Sequence, residues 1–313
     1  MKLLFLFLAV YTLNAEMTSR TKVLMGTFAT LSLDSKDKHY FKPAFETLKG
    51  VDNALSSYKT DSPIFILNQN KSNTLLPLTY EALTLSKRYY EESDGYFDIA
   101  IGSVTKDLYK FGEDESLPSE EALKKSDTSF SSLHFNEKEA FILNNIKIDL
   151  GGMGKGFGVD KAMKFLKSKS VHKAVVAMSG DIRCLDVCSV EIQNPFKQTP
   201  LASFKTKKEE MGISTSGNYN RYVKSTQNNH LINPKTKLSQ KKFASITLVS
   251  ELSNSDLDAY ATAASVMPRE KAYEFLESLD LAFVVVETDK KVVVSKNIKE
   301  YVKELLFYDG DEE

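Results

Sequence analysis

Residues 147–160 read KIDLGGMGKGFGVD, with five glycines between positions 151 and 158 and a lysine, Lys155, among them. A β-like run precedes the glycines and a helix-like run follows them. Glycine lets the backbone adopt left-handed conformations and approach a ligand closely, and free N–H groups at the start of a helix can face an anion. The stretch therefore predicts a strand, a glycine turn and a helix that bind a phosphate group, with Lys155 adding positive charge.

The glycine stretch matches neither the P-loop nor the dinucleotide-binding signature. Gly156 and Phe157 stand where a P-loop requires Lys and Ser or Thr. A second interpretation needs no ligand: a tight strand-to-helix turn that packs closely on its sheet also requires glycine. From this stretch alone, both interpretations remain open.

The composition of the whole chain is that of an ordinary globular protein. Its 313 residues carry 41 Lys and Arg against 42 Asp and Glu, for a formal charge of -1. Without a basic surplus, nucleic acid is excluded as the expected partner. The length suits one large domain or two small ones.

The N-terminus, MKLLFLFLAVYTLNAE, resembles a secretory signal, with a lysine before a short apolar run and Ala15 at a cleavage point. The alternative is a buried N-terminal helix or strand. We expect residues 1–15 to be removed and residues 16–313 to form one domain, or two intimately packed subdomains. There is no cysteine near the cleavage point, so a lipid anchor is not expected. We expect the protein to be located in the periplasm.

The two cysteines, Cys184 and Cys188, lie in DIRCLDVCSVEI, between two β-like arms. Partners across a hairpin turn can satisfy disulfide geometry, and an oxidising compartment keeps such a bond closed. Two free, half-buried thiols are the alternative, because the register of a hairpin cannot be derived from sequence.

Helical and strand patterns are mixed without a regular βαβ alternation, which favours an α+β fold over a doubly wound sheet. Predicted strands cover 21–33, three short runs between 130 and 150 that end in IKIDL, 173–178, 201–206, 243–250 and a pair within 281–294. Predicted helices cover 38–58, 78–89, 118–125, 156–167, 256–266, 269–278 and 297–306.

Asp258 and Thr262, in SNSDLDAYATAASV, are four residues apart and share one face of a predicted helix. A carboxylate and a hydroxyl stacked in this way offer hard oxygen ligands to Mg²⁺. The competing interpretation is a capping box from Ser255 to Asp258, and spacing alone favours that cap.

His230 lies in a polar stretch, NNHLINPKT, that is predicted to be a loop. A single histidine is in most cases structural or solvated, so its candidacy as a functional group depends on neighbouring groups.

Seven segments together resemble the ApbE-type FAD:protein FMN transferases, and they follow that family's order and spacing from Met25 to Met267. The segments are MGTFAT, LSSYKTDSPIFILN, DGYFDIAIGSV, DLGGMGKGFGVD, ISTSGNYNRY, HLINPKT and DAYATAASVM. The resemblance implies a T-fold-like arrangement of mixed sheets with flanking helices. One departure is MSGDIR, where Ser179 replaces the first glycine of the family's Gly-Gly-Asp and leaves Gly180 and Asp181.

The resemblance also implies roles for individual residues. Mg²⁺ is expected on the Gly152 carbonyl, Asp258 and Thr262, which makes Asp258 a metal ligand instead of a cap, and His230 is a candidate for proton transfer. The residues expected to contact FAD are Met25, Tyr58, Tyr96, Phe97, Asp98, Lys155, Ser214, Thr215, Ser216, Gly217 and Ile232.

The implied reaction moves FMN from FAD to a threonine hydroxyl of a client protein and releases AMP. FAD is then a substrate, and the client is an envelope flavoprotein or a subunit of a redox complex. Two alternatives are an FAD pyrophosphatase that yields FMN and AMP, and a periplasmic protein that binds flavin without chemistry.

Overall fold

The structure, a computed structural model, describes residues 17–308. The predicted signal, residues 1–15, lies outside the described residues, so the secretion and domain predictions stay predictions. Among the described residues, no helix is both long and apolar enough to cross a membrane.

Strands and helices are interleaved along the described chain. The strands are β1 (Met17–Leu24), β2 (Thr27–Asp34), β3 (Ser72–Thr74), β4 (Leu133–Phe135), β5 (Glu139–Ile142), β6 (Ala174–Met178), β7 (Asp181–Cys184), β8 (Ser189–Gln193), β9 (Pro200–Thr206), β10 (Gly212–Gly217), β11 (Phe243–Ser250), β12 (Ala282–Glu287), β13 (Val292–Val294) and β14 (Val302–Phe307). The helices are α1 (Phe41–Leu55), α2 (Pro63–Asn70), α3 (Pro77–Glu92), α4 (Gly102–Thr105), α5 (Glu120–Lys125), α6 (Gly154–Ser168), α7 (Asn254–Val266), α8 (Arg269–Glu277) and α9 (Ile298–Tyr301).

An eight-stranded antiparallel sheet, in the order β1-β2-β6-β7-β10-β11-β12-β13, forms the centre of the molecule. Alternate residues of its strands enter different cores. In β6, Val176 and Met178 pack with α1 and α6, whereas Val175 and Ala177 face a core shared with β8 and β9. This period of two places helices on one face of the sheet and the three-stranded sheet β14-β9-β8 on the other.

Helices α6 and α7 lie side by side on the helical face, and α7 also packs on β10 and β11. Every residue of β11 and β12 is buried, including the polar residues Ser245, Thr247 and Ser250 of β11. A second small sheet, β3-β5-β4, lies against α2. The predicted α+β class, with mixed sheets and flanking helices, is confirmed.

Three predicted elements are wrong. The segment 21–33 is not one strand, because Met25 and Gly26 adopt left-handed backbone conformations (φ 51° and 71°) and turn the chain into the β1–β2 hairpin. IKIDL makes only an isolated bridge, from Lys147 to Ile101. The predicted helix 297–306 ends at Tyr301, where the chain continues as β14 beside β9.

A disulfide bond joins Cys184 and Cys188, so of the two alternatives that the sequence left open, the paired one is observed. The predicted hairpin around it is wrong. Strand β7 pairs with β6 and β10 in the large sheet, while β8 pairs with β9 in the small sheet. The bond therefore links the two sheets at one end of the core between them, where both cysteines are buried.

Candidate active site

The glycines of residues 151–158 allow α6 to approach α7 closely. A Cβ atom on Gly156 would lie 2.1 Å from the backbone oxygen of Asn254, at the start of α7. None of these five glycines has a positive φ, so the expected left-handed backbone is wrong here. The close-packing interpretation is correct about the contact, but the neighbour is a helix and not the sheet.

The first turn of α6 binds a carboxylate of the protein itself. The N–H of Gly156 donates to Oδ2 of Asp258 at 3.2 Å. Helix α7 begins at Asn254, and the side chain of Ser253 accepts the cap bond from the N–H of Asp256. The capping-box interpretation of Asp258 is therefore wrong, and its buried carboxylate faces α6 instead.

Lys155 bridges two buried carboxylates. Its Nζ lies 3.0 and 2.9 Å from the two oxygens of Asp258 and 2.9 Å from Oδ2 of Asp181. Burial and the charge of Asp258 raise the pKa of Asp181 to about 7, against the opposing effect of Lys155. Burial opposes the charge on Lys155, but Asp181 and Asp258 together hold the pKa of its ammonium above the ordinary value.

Asp181 is a residue to which the sequence analysis assigned no role. It opens β7, and its other oxygen accepts a hydrogen bond from the hydroxyl of Ser214 at 2.6 Å. The available signal was its place in MSGDIR, directly after the strand that follows the glycine helix. Sequence alone did not indicate that this carboxylate lies beside Lys155.

The carbonyl oxygen of Gly152 accepts a hydrogen bond from the Thr262 hydroxyl at 3.2 Å. Two ligands at right angles around Mg²⁺ lie about 3 Å apart, so this separation fits adjacent positions in its shell. A Cβ on Gly152 would lie 3.0 Å from the Thr262 side chain and 3.2 Å from Phe97, so glycine leaves the room this contact needs. Carbonyl, hydroxyl and the Asp258 carboxylate are hard oxygen donors, which suit Mg²⁺.

These donors do not form a cluster of acidic side chains. Within residues 17–308, no group of three or more His, Cys, Asp or Glu side chains is placed to hold a metal ion. A cation here would therefore depend on one carboxylate, a hydroxyl and a backbone carbonyl, with its remaining positions left for water or phosphate oxygens.

Helix α7 is fixed at its first turn by α6 and α3. Both oxygens of Asp160 accept backbone N–H groups, from Asn254 and Ser255 at 2.8 Å each. The hydroxyl of Tyr89 donates to Asp256 at 2.7 Å, and Arg88 forms an ion pair with the same carboxylate. These contacts set the position of the helix that carries Asp258 and Thr262.

His230 is held by a backbone carbonyl. Its Nδ1 lies 3.1 Å from the carbonyl oxygen of Arg221. Because a carbonyl only accepts, Nδ1 carries the proton and Nε2 is left as a basic nitrogen. Burial, together with the charges of Arg221 and Lys155, lowers the pKa of His230 to about 4, so the ring is neutral at pH 7.

Tyr58 is anchored near His230 through Arg221. The tyrosine hydroxyl donates to the carbonyl of Phe111 at 3.2 Å, and the Arg221 guanidinium donates to that hydroxyl at 3.2 Å. The ammonium of Lys106 lies 3.8 Å from the centre of the Tyr58 ring. The half-exposed ring therefore belongs to a positively charged rim.

The segment DGYFD contributes in three different ways. Phe97 reaches Gly152, as described above. Tyr96 lies under Lys235, whose ammonium is 4.2 Å from the ring centre. Asp98 accepts backbone N–H groups from Ala100 and Phe130, and burial raises its pKa to about 6. Asp98 therefore holds this loop with the same oxygens that were expected to contact FAD.

Of the remaining predicted residues, Ser216 and Met25 lie against α7 and α6, whereas Thr215, Ile232 and Gly217 have other contacts. Ser216 lies 3.5 Å from the Thr262 hydroxyl, and the Met25 side chain lies beside Gly154. Thr215 instead bonds Thr247 across the β10–β11 pair, on the opposite face from Ser214 and Ser216. Ile232 is buried in a separate apolar cluster with Phe111. Gly217 ends β10, where a Cβ would lie 2.4 Å from Tyr219.

Comparison with known proteins shows the family of the chain. The model of the ApbE family matches residues 25–285. The chain belongs to the ApbE family. A Haemophilus influenzae relative named FAD:protein FMN transferase is 27% identical over 278 residues, covering 80% of this chain and 79% of the relative. A Treponema pallidum relative of the same name is 25% identical over 325 residues, covering 92% and 89%.

Solved structures of ApbE proteins share the fold. The ApbE protein of Thermotoga maritima aligns with a TM-score of 0.83 at 20% identity, covering 92% of this chain and all of that one. The flavin transferase ApbE of Vibrio cholerae aligns with a TM-score of 0.79 at 20% identity and the same coverage.

Proposed function

We propose that the protein transfers FMN from FAD to a threonine hydroxyl of a client protein and releases AMP. Relatives named FAD:protein FMN transferase align over most of the chain, which supports flavin transfer. The observation that carries the proposal is the distance of 3.2 Å between the Gly152 carbonyl oxygen and the Thr262 hydroxyl oxygen. Thr262 shares one face of α7 with Asp258. This set of donors suits a cation that also binds phosphate oxygens.

Gly152, Asp258 and Thr262 would hold Mg²⁺, which when bound offsets the negative charge of the pyrophosphate and of the transferring phosphoryl group. The side chains around these donors position the substrate. Lys155 offers an ammonium at the same place, and Arg221 and Lys106 add positive charge at the rim around Tyr58.

The reaction exchanges one phosphorus–oxygen bond for another. The client hydroxyl oxygen forms a bond to the phosphorus on the FMN side of FAD. The bond from that phosphorus to the bridging oxygen breaks, and AMP leaves with this oxygen and the bonding electrons. Nε2 of His230, neutral because its pKa is about 4, accepts the hydroxyl proton.

We also propose that the protein acts in the periplasm, on an envelope flavoprotein or a subunit of a redox complex. The signal-like residues 1–15 support export. The Cys184–Cys188 disulfide supports an oxidising compartment, because cytosolic thiols are kept reduced.

Covalent labelling tests the function. The protein is incubated with FAD, Mg²⁺ and a client domain that carries the acceptor threonine, and a denaturing gel is then imaged for flavin fluorescence. We expect a fluorescent client band that disappears when the acceptor threonine is changed to valine, and that Asp258→Ala abolishes. Free FMN and AMP without labelling would identify a pyrophosphatase instead, and intact bound FAD would identify a flavin-binding protein.

A further inference from the structure

We infer that Lys155 is an internal cation that sets the divalent-metal affinity of the site. In the absence of a metal, its ammonium is paired with both Asp181 and Asp258 and offsets one of their two negative charges. When Asp258 binds a divalent cation, Lys155 remains paired with Asp181. The inference rests on the proposed function through the metal site, and it makes Asp181 a residue that controls this site without being a ligand.

The three charged groups are close together and shielded from water. Asp181 and Asp258 are only 1% and 2% exposed. The Lys155 nitrogen lies 2.9 Å from the nearest oxygen of each carboxylate. A buried carboxylate without a counter-charge is strongly unfavourable, so one ammonium serves both.

Lys155 is the only cationic partner of either carboxylate within residues 17–308. The other donors are neutral: the Ser214 hydroxyl binds Asp181, and the Gly156 N–H binds Asp258. The two carboxylates therefore compete for one positive charge. Asp181 lies on β7 of the sheet and Asp258 lies on α7. Lys155 can therefore stay paired with one carboxylate when the other binds a cation or is removed.

The charges of the three groups sum to -1 when all are ionised. Without Lys155 the sum becomes -2, and without the Asp181 charge it becomes 0. Opposite charges a few ångströms apart attract strongly in a partly buried site, so each step changes divalent-cation affinity by at least about tenfold. The expected order of Mg²⁺ affinity is Lys155→Met, then wild type, then Asp181→Asn.

This order differs from what a simple phosphate contact predicts. If Lys155 only contacted FAD, its removal would leave Mg²⁺ binding unchanged when no FAD is present. Likewise, if Asp181 were itself a ligand, the double variant Lys155→Met/Asp181→Asn would bind Mg²⁺ more weakly than the wild type, because it lacks that ligand. The double variant Lys155→Met/Asp181→Asn separates these cases, because its charge of -1 equals that of the wild type.

The experiment is a calorimetric titration of each protein with Mg²⁺ in the absence of FAD. It is done at the highest pH at which Mg²⁺ stays in solution, because burial and Asp258 raise the pKa of Asp181 and the loss of Lys155, which lowers that pKa, raises it further. A matched control is Lys167→Met, on the same helix, whose lysine pairs with Glu210 at the surface. Thermal unfolding with Mg²⁺ and with a chelator provides a second measurement for each variant.

We expect Lys155→Met to bind Mg²⁺ at least about tenfold more tightly than the wild type and to gain more thermal stability from it. We expect weaker binding by Asp181→Asn, a return towards the wild-type value in the double variant, and no change in the control. Equal affinities in the wild type, Asp181→Asn and the double variant overturn the inference even if Lys155→Met does not fold. The proposed function fails separately, if the wild type binds Mg²⁺ but labels no client.

Discussion

At the scale of single residues, Ser179 occupies a position that favours glycine. It lies in the two-residue turn between β6 and β7 with a φ of 55°, in the left-handed region. This conformation costs a residue with a Cβ about 1–2 kcal/mol. Glycine avoids that cost, but part of the gain is lost because glycine has more conformational freedom in the unfolded chain. This is the position at which the resemblance to the family predicts a glycine.

We therefore expect Ser179→Gly to increase the free energy of unfolding by about 0.5–1 kcal/mol. The measurement is urea denaturation followed by circular dichroism. The control is Ser179→Ala, which keeps a Cβ and should change stability little. A loss of stability in Ser179→Gly would show that this turn is not strained.

The pH dependence of transfer should follow the unusual state of His230. Its pKa of about 4 means that the ring stays neutral, and able to accept a proton, until the pH falls towards 4. At saturating Mg²⁺, the rate of client labelling should therefore decline near pH 4 and not near the ordinary histidine pKa of about 6.5. His230→Gln should lower the rate by about a hundredfold or more.

Arg221→Gln provides the comparison for this profile. Removing the positive charge of Arg221 makes protonation of His230 easier, so the decline should move to higher pH. The carbonyl that orients Nδ1 belongs to the backbone and remains. If the profile of wild type and His230→Gln were the same, His230 would not be the base.

At the scale of helices and strands, the contact between α6 and α7 depends on Gly156. A Cβ at this position would meet the backbone of Asn254 at 2.1 Å, and backbone atoms at a helix start cannot move aside as a flexible side chain can. Gly50, inside α1, offers the opposite case, because a Cβ there would have no heavy atom within 4 Å.

We expect Gly156→Ala to destabilise the protein by about 1–3 kcal/mol, because the helices must separate. Gly50→Ala should stabilise it by about 0.5–1 kcal/mol through helix propensity. Chemical denaturation of both variants gives the comparison. Equal effects of the two substitutions would mean that the close crossing of α6 and α7 does not form.

The same elements indicate how far sequence reasoning reaches. Strand β11 was predicted with its observed bounds, because apolar and β-branched residues dominate its sequence, FASITLVS. Helix α7 was predictable because its four alanines favour a helix. The hairpin of β1 and β2 was missed because MG is an uncommon pair for a turn with positive φ. The segment 302–307, VKELLF, has helix-forming residues, and pairing with the distant β9 makes it a strand.

The candidate site was predictable in part for a similar reason. Asp258 and Thr262 are one helical turn apart, so their shared face follows from local geometry. The pairing of Lys155 with Asp181 depends on the sheet and on the crossing of α6 and α7, which no local pattern encodes. The motifs predict candidate residues, but they do not predict which of these residues are partners.

At the scale of the whole molecule, the disulfide joins the eight-stranded sheet to the sheet β14-β9-β8, and the core described above lies between these two sheets. Strand β7 also carries Asp181, so the bond anchors the part of the large sheet that carries the candidate site. Closing a loop of about five residues limits the unfolded chain by only about 2 kcal/mol.

We expect Cys184→Ala/Cys188→Ala to lower the free energy of unfolding by about 2 kcal/mol and to leave the overall fold intact. The measurement is urea denaturation with and without a thiol reductant. Reductant should destabilise the wild type and leave the double variant unchanged. A wild type whose stability does not respond to reductant under unfolding conditions would contradict the pairing.

The central claim is that the Gly152 carbonyl, Asp258 and Thr262 form one cation site for FMN transfer. Its most direct test is the rate of covalent client labelling in Thr262→Val, compared with Ser265→Ala. Both substitutions remove a hydroxyl from α7, but that of Ser265 donates to the carbonyl of Ala261 in its own helix. We predict that Thr262→Val lowers the rate at least about a hundredfold, that Thr262→Ser restores most of it, and that Ser265→Ala labels normally. A Thr262→Val variant that labels its client at the wild-type rate would contradict the account.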